Sequence, residues 1–202
     1  MDRRRSELRA QLAQAAARIV AEQGIRDYGL AKRKAAEQSG TSDERDLPSN
    51  REIEAALRDY QRLFQSDSQP QCLRELRLVA VEAMRFLARF EPRLVGAVLE
   101  GTADRHSAVC LHLYEDDPSA VLRFLEEHRI PCDEDDRVLR LSRSQNAAFP
   151  VLRFDADERT IDLTILPRSC MRQAPLSRIS DRPMPRASLP ALLELLDRDS
   201  HR

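Results

Sequence analysis

Apolar side chains recur at helical spacing through the first ninety residues and at alternating spacing after them. Residues 4–23 place Leu8, Leu12, Ala15, Ile19 and Val20 on one face, which predicts an amphipathic helix that Gly24 ends. A second, short helix is expected over 28–38, through AKRKAAEQ, stopping at Gly40. The polar stretch 41–50 is a connector, and Ser49 or Asn50 caps a third helix with Glu52 in its first turn. That helix runs to about 64 and presents Ile53, Leu57, Tyr60 and Phe64. After SDSQPQ comes a long helix, about 71–90, striped by Leu73, Leu76, Ala80, Ala83, Leu87 and Phe90. Leu78, Val79, Val81 and Phe86 broaden the stripe, which predicts packing on two sides and a covering role over the sheet that follows Pro92.

From Leu94 the pattern changes. Residues 94–100 and 107–114 read as strands around a Gly101-Thr102 turn, and Pro118 opens a helix over about 118–129. Further strands are expected at 137–141, 150–154 and 160–166, with Asp157-Glu158 at a hairpin tip. Residues 168–186 are rich in proline and arginine and read as irregular, and Leu189, Leu192, Leu193 and Leu196 mark a last helix over about 188–198. The expected fold class is α/β (α+β): an N-terminal helical region (1–68), an α/β domain with a mixed sheet of four or five strands and flanking helices (69–167), and a loop with a C-terminal helix packing on it (168–202).

Composition narrows the class. No apolar run reaches about 18 residues, so no membrane partner is expected. The N-terminal segment is broken by Glu7, Arg9, Gln11 and Arg18, unlike a signal peptide, which makes the cytoplasm the expected location. Cys72, Cys110, Cys132 and Cys170 form no CxxC pair and read as free thiols. Residues 1–40 carry nine basic and five acidic side chains, which admits nucleic-acid binding through Lys32, Arg33 and Lys34. No recognition helix with base-reading residues follows, however, and lysine supplies only two of the 33 basic residues, a bias that reflects composition more than function. The amphipathic N-terminal helices also admit a homodimer.

Candidate chemistry gathers at the hairpin. Along 107–114, Val109, Leu111 and Leu113 point one way and Cys110, His112 and Tyr114 the other. Along 160–166, Ile161, Leu163 and Ile165 point inward and Thr160, Asp162 and Thr164 outward. If the two strands are neighbours, Asp162 lies near Cys110 and His112 on one exposed face. This layout resembles the nucleotidyltransferase superfamily: a strand, a Gly-Ser or Gly-Thr turn opening a short helix, a strand with two carboxylates at i and i+2, and a third carboxylate from a later strand. The resemblance spans about 71–167, and the chain is also similar to a group of proteobacterial proteins with a nucleotidyltransferase-like domain and no assigned activity. It implies that Gly101, Thr102 and Ser107 serve nucleotide binding, that Cys110 and His112 stand at two metal positions, and that Asp162 is the third, catalytic carboxylate.

The departure from that pattern has a chemical consequence. Two-metal transfer needs Mg²⁺ held by oxygen ligands, and a thiol and an imidazole do not replace two aspartates. The expected function is therefore a nucleotidyltransferase-like protein with a degenerate metal site, binding a nucleotide or a protein partner in a regulatory role with little or no transfer, and with no cofactor. An active transferase would need Mg²⁺ and a rearranged site drawing on Asp162 and Glu100, Asp104, Glu115, Asp116 or Asp117. Cys110, His106, His112 and Asp162 also offer a softer donor set for zinc, although their spacing fits no zinc pattern. A Cys110–His112 nucleophile pair lacks an orienting group.

Overall fold

The computed structural model describes residues 2–25, 27–41, 43–142 and 144–200. Among these residues it has seven helices and one five-stranded mixed sheet, an α+β fold. The chain forms two compact units: residues 1–70 with 178–180, and residues 71–177 with 181–202.

The first unit is helical. α1 (Asp2–Gln23) packs against α2 (Tyr28–Gln38) and α3 (Asn50–Phe64) through Leu12, Ala16, Ile19 and Val20 of α1, Ala31 and Ala35 of α2, and Ile53 and Leu57 of α3. The buried face of α1 is wider than the sequence pattern implies, because Ala13, Ala16, Ala17 and Ala21 are buried as well. Small side chains let neighbouring helices approach closely, so alanine here is core and not spacer. The ends are set by polar groups. Asp27 accepts from the amides of Gly29 and Leu30 at the start of α2, and Ser49 and Glu52 form a reciprocal capping box on α3. Gly24, at φ 66°, closes α1 with its amide bonded to Val20 O.

The second unit is built on a sheet of order β1-β2-β5-β4-β3: β1 (Arg93–Val95), β2 (Val109–Tyr114), β3 (Asp133–Arg140), β4 (Asn146–Ala156) and β5 (Arg159–Leu166). β2 and β5 run parallel at the centre, and the other pairs are antiparallel. One face carries Val109, Leu111, Leu113, Ile161, Leu163 and Ile165. α4 (Ser68–Phe86), α6 (Pro118–Glu127) and α7 (Leu189–Ser200) join this core through Leu76, Ala80, Met84, Val121, Leu125, Leu192 and Leu196. Leu78 is 48% exposed, so α4 has one broad apolar face and does not pack on two sides as the pattern suggested.

Three local differences from the sequence reading have physical causes. The apolar run 94–100 is strand only to Val95. Gly96 then takes φ 71°, and a single helical turn, α5 (Ala97–Glu100), follows. A short apolar run does not separate strand from helix, and a positive-φ glycine decides it. β3 begins four residues before its expected start because Asp133–Asp136 lie exposed on an edge strand, where no apolar alternation marks the pairing. The long helix ends at Phe86, with Ala88–Phe90 forming a turn of 3-10 helix. The hairpin tip is as expected: Asp157 and Glu158 both take positive φ, the geometry of a two-residue turn matched to strand twist.

One buried cation ties the unit together. Arg77 of α4 is 4% exposed, donates to Val98 O and pairs with Asp199 on α7. Among the described residues, no helix is long and apolar enough to cross a membrane. Asp199→Asn leaves the Arg77 charge without its counter-ion and is expected to lower stability by about 3 kcal/mol, read as a lower urea midpoint at unchanged slope.

Candidate functional site

β2 is the hinge of the site because its two faces carry different chemistry. Its even-numbered positions oppose those of β5 directly: Cys110 faces Asp162, and His112 faces Thr164. On the other side Arg93 of β1 is opposite His112 and Val95 is opposite Cys110. The strands are therefore neighbours, and Cys110, His112 and Asp162 do share a face. That face is not exposed, which corrects the sequence expectation: His112 is 3% and Asp162 4% exposed, and only Cys110 is half-buried.

The cover over one end comes from residues 168–177 and 181–186, within the stretch the sequence marks as irregular. After a turn of 3-10 helix at Arg168–Met171, Cys170 packs on Tyr114, Leu139, Phe149 and Leu166 in a second small core. The amide of Leu176 bonds to Arg140 O at the end of β3. Arg186 donates to the Tyr114 hydroxyl at 2.6 Å and to the carbonyls of Cys170 and Met171. Ala187 then pairs with Leu94 on the outer edge of β1. Sequence alternation marks a strand face as outward wherever it is polar, and it does not register a later segment folding back over it.

Asp162 is held by arginines that the sequence reading missed. Arg137 grips it through two bonds of 2.8 Å, one to each oxygen, and Arg153 adds a third at 3.0 Å. Arg137 also donates to Thr164 Oγ1, and Arg153 to Asp135. Both arginines share the Asp162 face by strand register and fall within the strands expected at 137–141 and 150–154, but the sequence pattern does not say which strands are neighbours or in what register. With each oxygen of Asp162 accepting from a guanidinium, a cation placed there would meet two fixed positive charges at close range.

His112 is the other unusual group. Its Nδ1 is buried with no hydrogen-bond partner. Burial, helped by the charges of Arg186 and Arg137 and opposed by Asp162, lowers its pKa to about 4, so the imidazole is neutral at pH 7.

Gly101, Thr102 and Ser107 lie at a loop that does not have the expected form. The Gly-Thr pair closes α5 and does not open a helix: the amides of Gly101, Thr102 and Ala103 all donate to Ala97 O. Thr102 is buried, and Ser107 Oγ accepts from the Asp104 amide at 2.8 Å. The His106 amide bonds to Asp104 Oδ1. Backbone donors that would cradle a phosphate are thus used within the turn itself. His106 receives a bond from Arg105, and among the described residues no three His, Cys, Asp or Glu side chains are grouped to hold a metal. In the first unit, Lys32 is half-buried and its pKa is lowered by that burial, while Lys34 bonds to Gln23. Arg33 is the exposed member of that basic trio.

Two outcomes are expected. Asp162→Ala leaves two guanidiniums facing each other across an emptied position and should cost roughly 3–5 kcal/mol in urea unfolding. His112 has a folded pKa near 4 against 6.5 unperturbed. Its contribution is therefore complete above pH 6.5 and is lost as pH falls toward 4, a drop of about 3 kcal/mol. Stability measured from pH 7 to pH 4 should fall less steeply in His112→Gln than in the wild type. No protein-family model, curated protein or solved structure matches the chain.

Proposed function

We propose that the second unit is a nucleotide-binding module on a nucleotidyltransferase-like scaffold, and that it performs no metal-dependent transfer. The observation that carries the second half is the bidentate grip of Arg137 on Asp162, reinforced by Arg153. Mg²⁺ takes oxygen ligands at short range and needs them unengaged and negatively charged. The two flanking positions offer a thiol at Cys110 and an imidazole at His112, and the one carboxylate is neutralised by two guanidiniums. Catalysis by two metals would require those three positions to supply a clamp for the attacking and leaving oxygens.

The binding half is supported by the order of hairpin, Asp162 strand and basic proline-rich segment, and by the arginines that replace carboxylates as the main charges of this sheet face. Because the amides after α5 are already bonded within their own turn, recognition of a nucleotide rests on side-chain charge and not on a backbone cradle. Such a module reports the presence of a nucleotide and consumes nothing.

Thermal melts with ATP, GTP, CTP and UTP, each with and without Mg²⁺, test this reading. At least one nucleotide should raise the melting temperature equally with and without Mg²⁺, and no labelled nucleotidyl group should be transferred. A shift that requires Mg²⁺ and disappears in Asp162→Ala would show a working metal site. No shift with any nucleotide would reject nucleotide binding and leave a protein partner as the occupant.

A further inference from the structure

The arginines of the second unit divide cleanly by their surroundings. Seven of those described are buried or half-buried: Arg77, Arg93, Arg137, Arg140, Arg153, Arg159 and Arg186. Five of the seven pair with a carboxylate: Arg77 with Asp199, Arg137 and Arg153 with Asp162, Arg140 with Asp181, and Arg159 with Glu75. Arg93 and Arg186 have none among the described residues. Arg93 donates only to the nearby carbonyls of Pro92 and Glu91. Arg186 donates to neutral oxygens, those of Tyr114, Cys170 and Met171.

These two arginines lie around the same pair of side chains. Arg93 is directly opposite His112 across the β1–β2 ladder. Arg186 sits over the Tyr114 ring, 5.8 Å from its centroid, and both arginines act on the Tyr114 phenol electrostatically. On the same face, His112 keeps a buried Nδ1 with no partner, and the Arg186 charge acts on its ring. A guanidinium withdrawn from water is costly unless an anion answers it, and a buried ring nitrogen is costly unless it is hydrogen-bonded. Both deficits occur together, on one patch of the sheet, in a unit whose other withdrawn arginines are all answered.

We propose that Arg93 and Arg186, with Nδ1 of His112, form a binding site for a phosphate-class oxyanion. The two planar forks supply charge-assisted donors matched to a tetrahedral anion, and the neutral imidazole in its Nδ1–H tautomer donates the third bond. Arginine then holds on this face the phosphate charge that a metal ion would otherwise offset. The site stands on the position of the arginines and does not depend on the transferase-like reading. A phosphate response with no nucleotide-specific response would leave it intact while that reading fails.

The probe is inorganic phosphate, titrated into the full chain at pH 7.5 against chloride of equal ionic strength, with the melting temperature and the His112 ring resonances followed together. Phosphate should raise the melting temperature saturably and shift the His112 signals. Arg93→Gln removes a side chain bonded only to nearby carbonyls, so it should fold and bind phosphate about tenfold or more weakly. Arg186→Gln should weaken binding likewise, but because Arg186 also fastens the covering segment, Arg93→Gln decides the matter if the other variant does not fold. A parallel titration with AMP separates a phosphate ester from free phosphate as the favoured occupant by which of the two binds more tightly. No saturable response, an equal response in Arg93→Gln, or His112 signals that do not move would each overturn the proposal.

Discussion

A carboxylate cut off from water stays charged only if cations reach it, and Asp162 is reached from two strands at once. Arg137 on β3 and Arg153 on β4 both close on it, so one ion cluster spans β5, β4 and the edge strand β3. That cluster replaces apolar packing over this part of the sheet, because the opposite face already takes the helices. It also explains why an acidic edge strand pairs in register with β4. Asp135 is bound by Arg153, so the charges that protect the outer edge also bind inward. The chemistry open to the site follows from the same bonds: a carboxylate in this grip is a structural counter-ion.

The rest of the face depends on the segment after β5. Its return across Tyr114, Leu139, Phe149 and Leu166 turns a one-sided sheet into a two-sided one, with a large core against the helices and a small one beneath Cys170. Arg186 holds that return in place by bonding at once to Tyr114 and to the turn at Arg168–Met171. His112 is buried, with the charge of Arg186 acting on it, and the two effects together keep it neutral. The proposed oxyanion would answer the charge and the ring nitrogen in one step. The proposed anion site and the Asp162 cluster lie on one sheet face, where Arg93, Arg137 and Arg153 are the basic side chains.

The helical first unit was legible because each of its signals is local. Ser49 and Glu52 are three residues apart and make their capping box wherever the helix packs, and Gly24 ends α1 by its own dihedral angle. The hairpin tip at Asp157-Glu158 and the proline at the start of α6 were readable for the same reason. The neighbourhood of Cys110, His112 and Asp162 was also legible, since strict alternation on two strands fixes which side chains share a face. The partners of Asp162 were not, because Arg137 and Arg153 lie on expected strands whose order and register in the sheet only the tertiary structure sets.

The sequence by itself therefore determined the order of the main elements, several of their ends, and the set of polar side chains on the central strands. Those properties depend on neighbours within a few residues, through backbone capping, helix period and strand alternation. The tertiary structure decided whether the polar face is open or closed and which charges are answered. Each of those depends on residues far apart in the chain meeting in space, as Arg186 meets Tyr114 and Arg153 meets Asp162. The state of His112 belongs to the second group, because its low pKa comes from burial and from arginines that reach it only once the sheet is formed and covered.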